Sequence, residues 1–281
     1  MRWLLPLVLS VAGLSALSRP PREDAIAHPL PPLLPRVEWL HWIGAAYAEL
    51  LADYYWIQTT HQTGEAQTVW DYKNIYPYAR MTTELDPSFR YPYIFAAAVL
   101  PCAIGHGKFA NTAESTDMLE RALVQFPDNI QVRISLAYNW SVFDRNYRRA
   151  ARLAEETSHL PGAPAYLGPL ASRLYAQGGD IEAGIAFTRT LAQSAEDPET
   201  RDAMEKRLKD LELEGELQAV DRAAGFYRAR VGHAPTDIET LLKSGDLDHA
   251  PTDPLGGVVF IGEEGRAHSS RLDRRLEVYE K

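Results

Sequence analysis

Proline-centred stops recur along the middle of this chain at nearly equal intervals, and that recurrence limits the folds open to it more than any other feature. The stops are Leu85-Asp-Pro87, Phe126-Pro-Asp-Asn129, Leu160-Pro-Gly162 and Glu196-Asp-Pro198, with prolines 40, 34 and 37 residues apart. Between them apolar residues return at helical spacing. Proline cannot continue a helix interior, because it lacks an N–H and its ring crowds the preceding turn, yet it can open the next helix. Each stop therefore closes one helical pair, and the interval is close to the roughly 34-residue period of a helix–turn–helix array. In such an array no pair buries its apolar face alone; each hides it against the next.

Side-chain sizes inside the units serve the same packing. Met118-Leu-Glu-Arg-Ala-Leu-Val-Gln-Phe-Pro-Asp-Asn129 puts Ala122 where two helices would touch and Pro127 at the end. Tyr147-Arg-Arg-Ala-Ala-Arg-Leu-Ala-Glu-Glu-Thr157 repeats the pattern, after a helix carrying Leu136, Ala137 and Trp140. Gly179-Asp-Ile-Glu-Ala183, followed by Ile185, Ala186 and Phe187, reads as the turn and second helix of a third unit. A small side chain lets helices approach, and large neighbours fill the grooves between pairs. Over roughly residues 88–209 these segments resemble tetratricopeptide repeats (TPR). The resemblance implies an all-α fold, a TPR-like α-solenoid of helical hairpins whose concave face binds protein. The first interval is longer than the others, and Gly105-His-Gly-Lys108 with the polar stretch to Thr116 marks an enlarged turn.

Ahead of the array, Met-Arg-Trp leads into an uncharged apolar run from Leu4 to Leu17. As a helix that run would be about 21 Å long at 1.5 Å per residue, short of a hydrocarbon core of about 30 Å. It reads as an export signal over 1–17, either cleaved or kept as a short membrane anchor, with a buried N-terminal helix as the other reading. No cysteine follows to carry a lipid. Residues 18–36 are proline-dense and read as an extended, semi-rigid linker.

Residues 37–215 then form the repeat domain and 216–281 a capping helix with a small C-terminal α/β module. Aromatics crowd between Trp39 and Phe95. At helical spacing they are either packing residues of an end pair or the lining of a binding groove, where Tyr and Trp give large contact area at low entropic cost. Trp56, Tyr72, Tyr76, Tyr93, Trp140 and Tyr175 are the candidate partner-binding residues. After Pro198 a charged helix runs to about Arg230, and Thr236–Gly245 reads as a short capped helix. Gly257–Gly262 and Leu276–Tyr279 have strand character and predict a small hairpin turned at Glu263–Gly265. Gly232, Pro235, Leu241, Leu242, Pro251, Asp253, Pro254 and Gly256 occur in an order similar to the tail of type II secretion pseudopilins, though Leu255 stands where that family has an aromatic and the long pilin helix is missing.

The patterns that carry strong chemistry are missing. The eight histidines are scattered, and the chain has no His-Glu-x-x-His, phosphate-cradling loop or haem-attachment motif. Gly105–Lys108 reads as a turn and Cys102 as a packed thiol. Asp246, Asp248 and Asp253 lack a full calcium ligand set. Asn139-Trp-Ser141 is a formal glycosylation sequon inside a predicted helix. A formal charge of −9 argues against a nucleic-acid partner, since phosphate binding needs clustered cations. No cofactor or metal is expected. The leading expectation is a non-enzymatic scaffold of the cell envelope, periplasmic or membrane-anchored, that holds a partner protein or peptide. One alternative is an exported hydrolase using Glu49, Asp53 and His61; another is an assembly factor for pilus or secretion machinery.

Overall fold

The computed structural model of this protein describes residues 31–44, 47–262, 264–272 and 275. Residues 1–34 and 35–281 form separate units. Of the first, only 31–34 are described, and they form no helix or strand. The export or anchor reading of 1–17, most of the linker, and the strand expected at Leu276–Tyr279 lie outside the described residues.

The second unit is mostly helical. In chain order it contains α1 (Val37–Gly44), α2 (Ala48–Glu65), α3 (Val69–Leu85), α4 (Arg90–Val99), β1 (Cys102–Gly105), β2 (Lys108–Ala110), α5 (Thr112–Gln125), α6 (Ile130–Val142), α7 (Tyr147–Ser158), α8 (Leu167–Gln177), α9 (Ile181–Ser194), α10 (Pro198–Val231), α11 (Ile238–Ser244), β3 (Val259–Ile261) and β4 (Ala267–Ser269). The proline stops fall where the sequence places them: Pro87, Pro127 and Pro161 in connections between helices, Pro198 as the first residue of α10. Polar caps fix the starts. Thr68 and Asp71 form a reciprocal capping box on α3, and those hydrogen bonds hold the Asp71 carboxyl below its ordinary pKa. Asn129 accepts the Val132 amide and Asp197 the Thr200 amide. Gly232 and Gly245, both in the left-handed region, end α10 and α11.

From α2 to α10 each helix packs chiefly on its neighbours in sequence. The core between them runs from Ile75 to Phe187 and is lined with fully buried small residues, among them Ala79, Ala96, Ala122, Ala150 and Ala171. Ala122, the small residue marked by its spacing, is fully buried in this core. Buried polar groups cross the same contacts. The Asn139 amide donates to Ser115 Oγ at 2.8 Å, and Ser115 donates to the Ala97 carbonyl at 2.6 Å, linking α6, α5 and α4. This burial removes Asn139 from any glycosylation role.

The enlarged turn is a β-hairpin. β1 and β2 pair antiparallel, with Gly105 opposite Lys108, and the two tip residues His106 and Gly107 both have positive φ. That backbone matches the right-handed twist of the strands it joins. Its helix-to-helix setting hid it, because each strand is only a few residues long.

α10 runs unbroken for 34 residues across the expected boundary at 215/216. Its second half carries a further core of Leu213, Leu217, Val220 and Ala224 against Leu241, Val259 and Ala267. The terminal hairpin exists, but β3 pairs with Ala267–Ser269. Arg275 fastens this end piece. Its guanidinium donates to both oxygens of the buried Glu214 (2.7 and 3.4 Å) and to Asp221 at 2.5 Å, while Asp221 also accepts the Ala267 amide at 2.7 Å. Burial works against the charge on Arg275, but the bonds to the two carboxylates outweigh it and raise the pKa.

Candidate functional site

The six aromatics singled out from the sequence do not gather at one surface. Tyr93, Trp140 and Tyr175 are buried in the core, and Trp56, Tyr72 and Tyr76 are half-buried. Their polar atoms tie helices together. The Tyr76 hydroxyl donates to Asp117 at 2.7 Å, Trp140 Nε1 to Glu120 at 3.2 Å, and the Tyr175 hydroxyl to Glu155 at 2.5 Å. Burial, then the nearby carboxylates, push the Tyr76 hydroxyl up to about 12 and raise Tyr175 in the same direction. Trp56 meets Phe89, Tyr91 and Phe95 edge-on at ring distances of 5.9, 5.5 and 5.1 Å, so it serves as the packing knob between α2 and α4. Of the two readings of these aromatics, packing describes Tyr93, Trp140 and Tyr175.

A different set of side chains forms a groove. α6 buries Val132, Leu136 and Trp140, and its opposite stripe, Ile134, Tyr138 and Ser141, faces a concavity of about 580 Å³. The other wall is Tyr166 with Leu170, Arg173 and Gln177 of α8, again one turn apart. Ala137, Val142, Leu170 and Leu174 give it an apolar floor, and Tyr138 and Tyr166 are each 54% exposed at its mouth. Gln131, which precedes Ile134 by one turn on α6, lines a second concavity of about 350 Å³ with Arg90, Tyr91, Ile94 and Phe126.

Arg145 stands at the rim of the larger groove. Asn146 and Asp144 amides return to the Trp140 and Asn139 carbonyls, closing α6 in a tight turn that puts Arg145 at φ 51°. Glycine or asparagine usually takes such a position; a side chain with a Cβ is strained there. Arg145 and Arg173 are exposed and make no ion pair among the described residues. Arg207 on α10 lies close enough to Arg173 to feel its charge: burial first, and Arg173 in addition, lower the Arg207 pKa against the opposing pull of Asp210. The groove's lining residues include no acid and no histidine. Two arginines and no carboxylate thus line the groove of a chain whose net charge is −9.

Sequence reasoning missed Tyr138, Tyr166, Arg145 and Arg173. The signal that finds them is a second helical stripe on α6 and α8, out of phase with the core stripe and carrying arginine.

The other candidates are dispersed. Glu49, Asp53 and His61 are exposed along α2, with His61 beside Glu65 at 3.3 Å. Cys102 is half-buried in β1, and burial pushes its thiol up, away from the thiolate, against the Asn111 amide. Asp246 accepts from Ser244 and Arg230, and Asp253 from the Leu255 amide and Ser269, so these carboxylates organise turns. Among the described residues no group of histidine, cysteine and acid is placed to hold a metal ion, and no helix is long and apolar enough to cross a membrane. No protein-family model matches the chain, and no curated protein matches it.

Proposed function

We propose that this chain is a TPR-like, non-enzymatic scaffold of the cell envelope, and that the groove between α6 and α8 holds an extended acidic segment of a partner protein. The neighbour-on-neighbour packing of α2 to α10 and the small residues at the helix contacts support the solenoid reading. The observation that carries the binding reading is Arg145 and Arg173, without an ion pair among the described residues, beside exposed Tyr138 and Tyr166 over an apolar floor. An extended peptide would lay side chains on the floor and carboxylates against the guanidiniums, which suit planar, bidentate recognition. The export signal read from residues 1–17 puts the scaffold in the periplasm or on a membrane facing it.

Site-specific photo-crosslinking in native envelopes tests this. A crosslinking amino acid at Tyr138 or Tyr166 captures the same acidic peptide, and one at the exposed Phe226 of α10 does not. A charge-assisted hydrogen bond contributes about 1.5–3 kcal/mol, so Arg145→Glu with Arg173→Glu lowers affinity for the captured peptide by at least about 10-fold. Equal capture from all three positions, or an affinity unmoved by the double substitution, overturns the reading.

A further inference from the structure

α2 turns one face inward and leaves another uncovered. Ala52, Tyr55 and Thr59 are buried, whereas Tyr47, Leu50, Tyr54 and Ile57 recur at intervals of three, four and three residues and stand in solvent, Leu50 at 64% and Ile57 at 61% exposure. That spacing makes one continuous stripe. α1 adds Trp39 and Trp42, three residues apart and 64% and 86% exposed. Isolated exposed apolar side chains are ordinary; four at one helical spacing, with two more on the preceding helix, point to an interaction surface.

The chemistry of the surface distinguishes among its possible occupants. Four of the six side chains are Trp or Tyr, whose rings pair an apolar body with a polar atom and are enriched at the membrane–water boundary. Exposed Glu38, Glu49 and Asp53 ride on the same two helices. A two-fold dimer built on this face would bring the acidic flank of each copy, Glu49 and Asp53, into one seam, a like-charge arrangement that costs affinity. A zwitterionic headgroup layer instead offers ammonium groups to those carboxylates. The chain also arrives at α1 directly from the proline-dense stretch that follows the apolar run Leu4–Leu17. With that run in a bilayer, the linker tethers α1 to the same membrane.

We propose that α1 and the first half of α2 form an interfacial contact with a zwitterionic lipid bilayer. Trp39, Trp42, Tyr47 and Tyr54 sit among the headgroups, and Leu50 and Ile57 reach toward the acyl chains. The stripe ends at His61, whose ring is held by Glu65. This surface is separate from the groove between α6 and α8, so either proposal stands without the other.

The test uses the full chain with Cys102→Ser, a single cysteine replacing Leu50 or Ile57, and as control one replacing Val124, 78% exposed on α5. Each is labelled with a polarity-sensitive fluorophore and mixed with phosphatidylcholine vesicles whose acyl chains are plain or brominated. Brominated lipid quenches the labels at 50 and 57 at least 3-fold more than the label at 124, and Trp39→Ser with Trp42→Ser halves that quenching or better. Equal quenching at all three positions overturns the proposal. So does a blue shift at 50 that appears without lipid: one growing with protein concentration assigns the face to a second copy, and one independent of concentration to the chain's own apolar run. Stronger quenching in phosphatidylglycerol than in phosphatidylcholine overturns the headgroup assignment.

Discussion

Replacing Arg275 by methionine tests how the C-terminal module is held to the long helix. The substitution keeps most of the aliphatic stem and removes the guanidinium, leaving Glu214 and Asp221 without their shared cation. Glu214 is 1% exposed, so water cannot take the place of the lost donors, and only Gln218 Nε2, at 3.2 Å, remains on its carboxylate. Breaking a buried pair by deleting one partner costs about 3–5 kcal/mol. The Arg275 side chain is 21% exposed, which places the cost at the lower end, about 3 kcal/mol. At about 1.4 kcal/mol per factor of ten, that is a roughly 100-fold rise in the open population of the module. Amide hydrogen exchange reads it directly: peptides spanning Val259–Ser269 exchange about 100-fold faster, while those from α5 and α6 keep their protection. Adding Glu214→Leu restores most of the loss, because an apolar pair of similar volume tolerates the dry site. Unchanged protection of the hairpin in Arg275→Met would show that the tail is held by its apolar contacts alone and refute the argument.

Three other outcomes follow from particular contacts. Tyr76→Phe removes the bond to Asp117 and costs about 1 kcal/mol in urea unfolding at pH 8; because the native Tyr76 pKa is raised to about 12 from an unfolded value near 10, its stabilising contribution is complete below pH 10 and declines as the pH climbs toward 12, so the parent loses its advantage over the variant within that window. Gly184 sits where an added Cβ would lie 3.4 Å from the Cβ of Tyr175, so Gly184→Ala is tolerated in thermal melts and Gly184→Val lowers stability by about 1–3 kcal/mol. Arg145→Gly relieves the left-handed strain and raises stability by up to about 1 kcal/mol, yet weakens capture of an acidic peptide in the groove; loss of both stability and binding would mean the residue is there for structure.

The fold was legible where a local rule and the packing agree. Pro87, Pro127, Pro161 and Pro198 lie where helices stop or start, as their spacing predicts, although Pro77 sits inside α3, so a proline by itself does not end a helix here. Ala122 was legible because a buried position between packed helices favours a small side chain. The hairpin at Cys102–Ala110 was not, since strands of three and four residues carry too little periodicity to stand out between two helices. Its β-branched and aromatic character marks Leu276–Tyr279, outside the described residues, as the second terminal strand, whereas β3 pairs with Ala267–Ser269, whose outward residue is His268 and whose buried residues are only Ala and Ser. What places that strand is a long-range partner, the Asp221 carboxylate on the Ala267 amide, and no window of local sequence contains it.

The groove was harder to read for a related reason. Trp140 and Tyr138 lie two residues apart on α6, so they point to nearly opposite sides of the helix. Sequence alone marks both as large aromatics; which one faces a neighbour depends on the side from which α5 and α7 approach. Trp140 is held inward by the Glu120 carboxylate and covered by the Arg149 guanidinium 3.8 Å from its ring, and that leaves Tyr138 on the open side. The same choice on α8 sends Tyr175 to Glu155 and leaves Arg173 outside. An arginine with an acid in reach is a packing residue whose charge is spent locally, whereas one left without a partner on a concave stripe, in a chain with excess acid, retains its full attraction for an anion. The candidate groove is therefore marked less by the identity of its aromatics than by cations that lack an acid partner among the described residues.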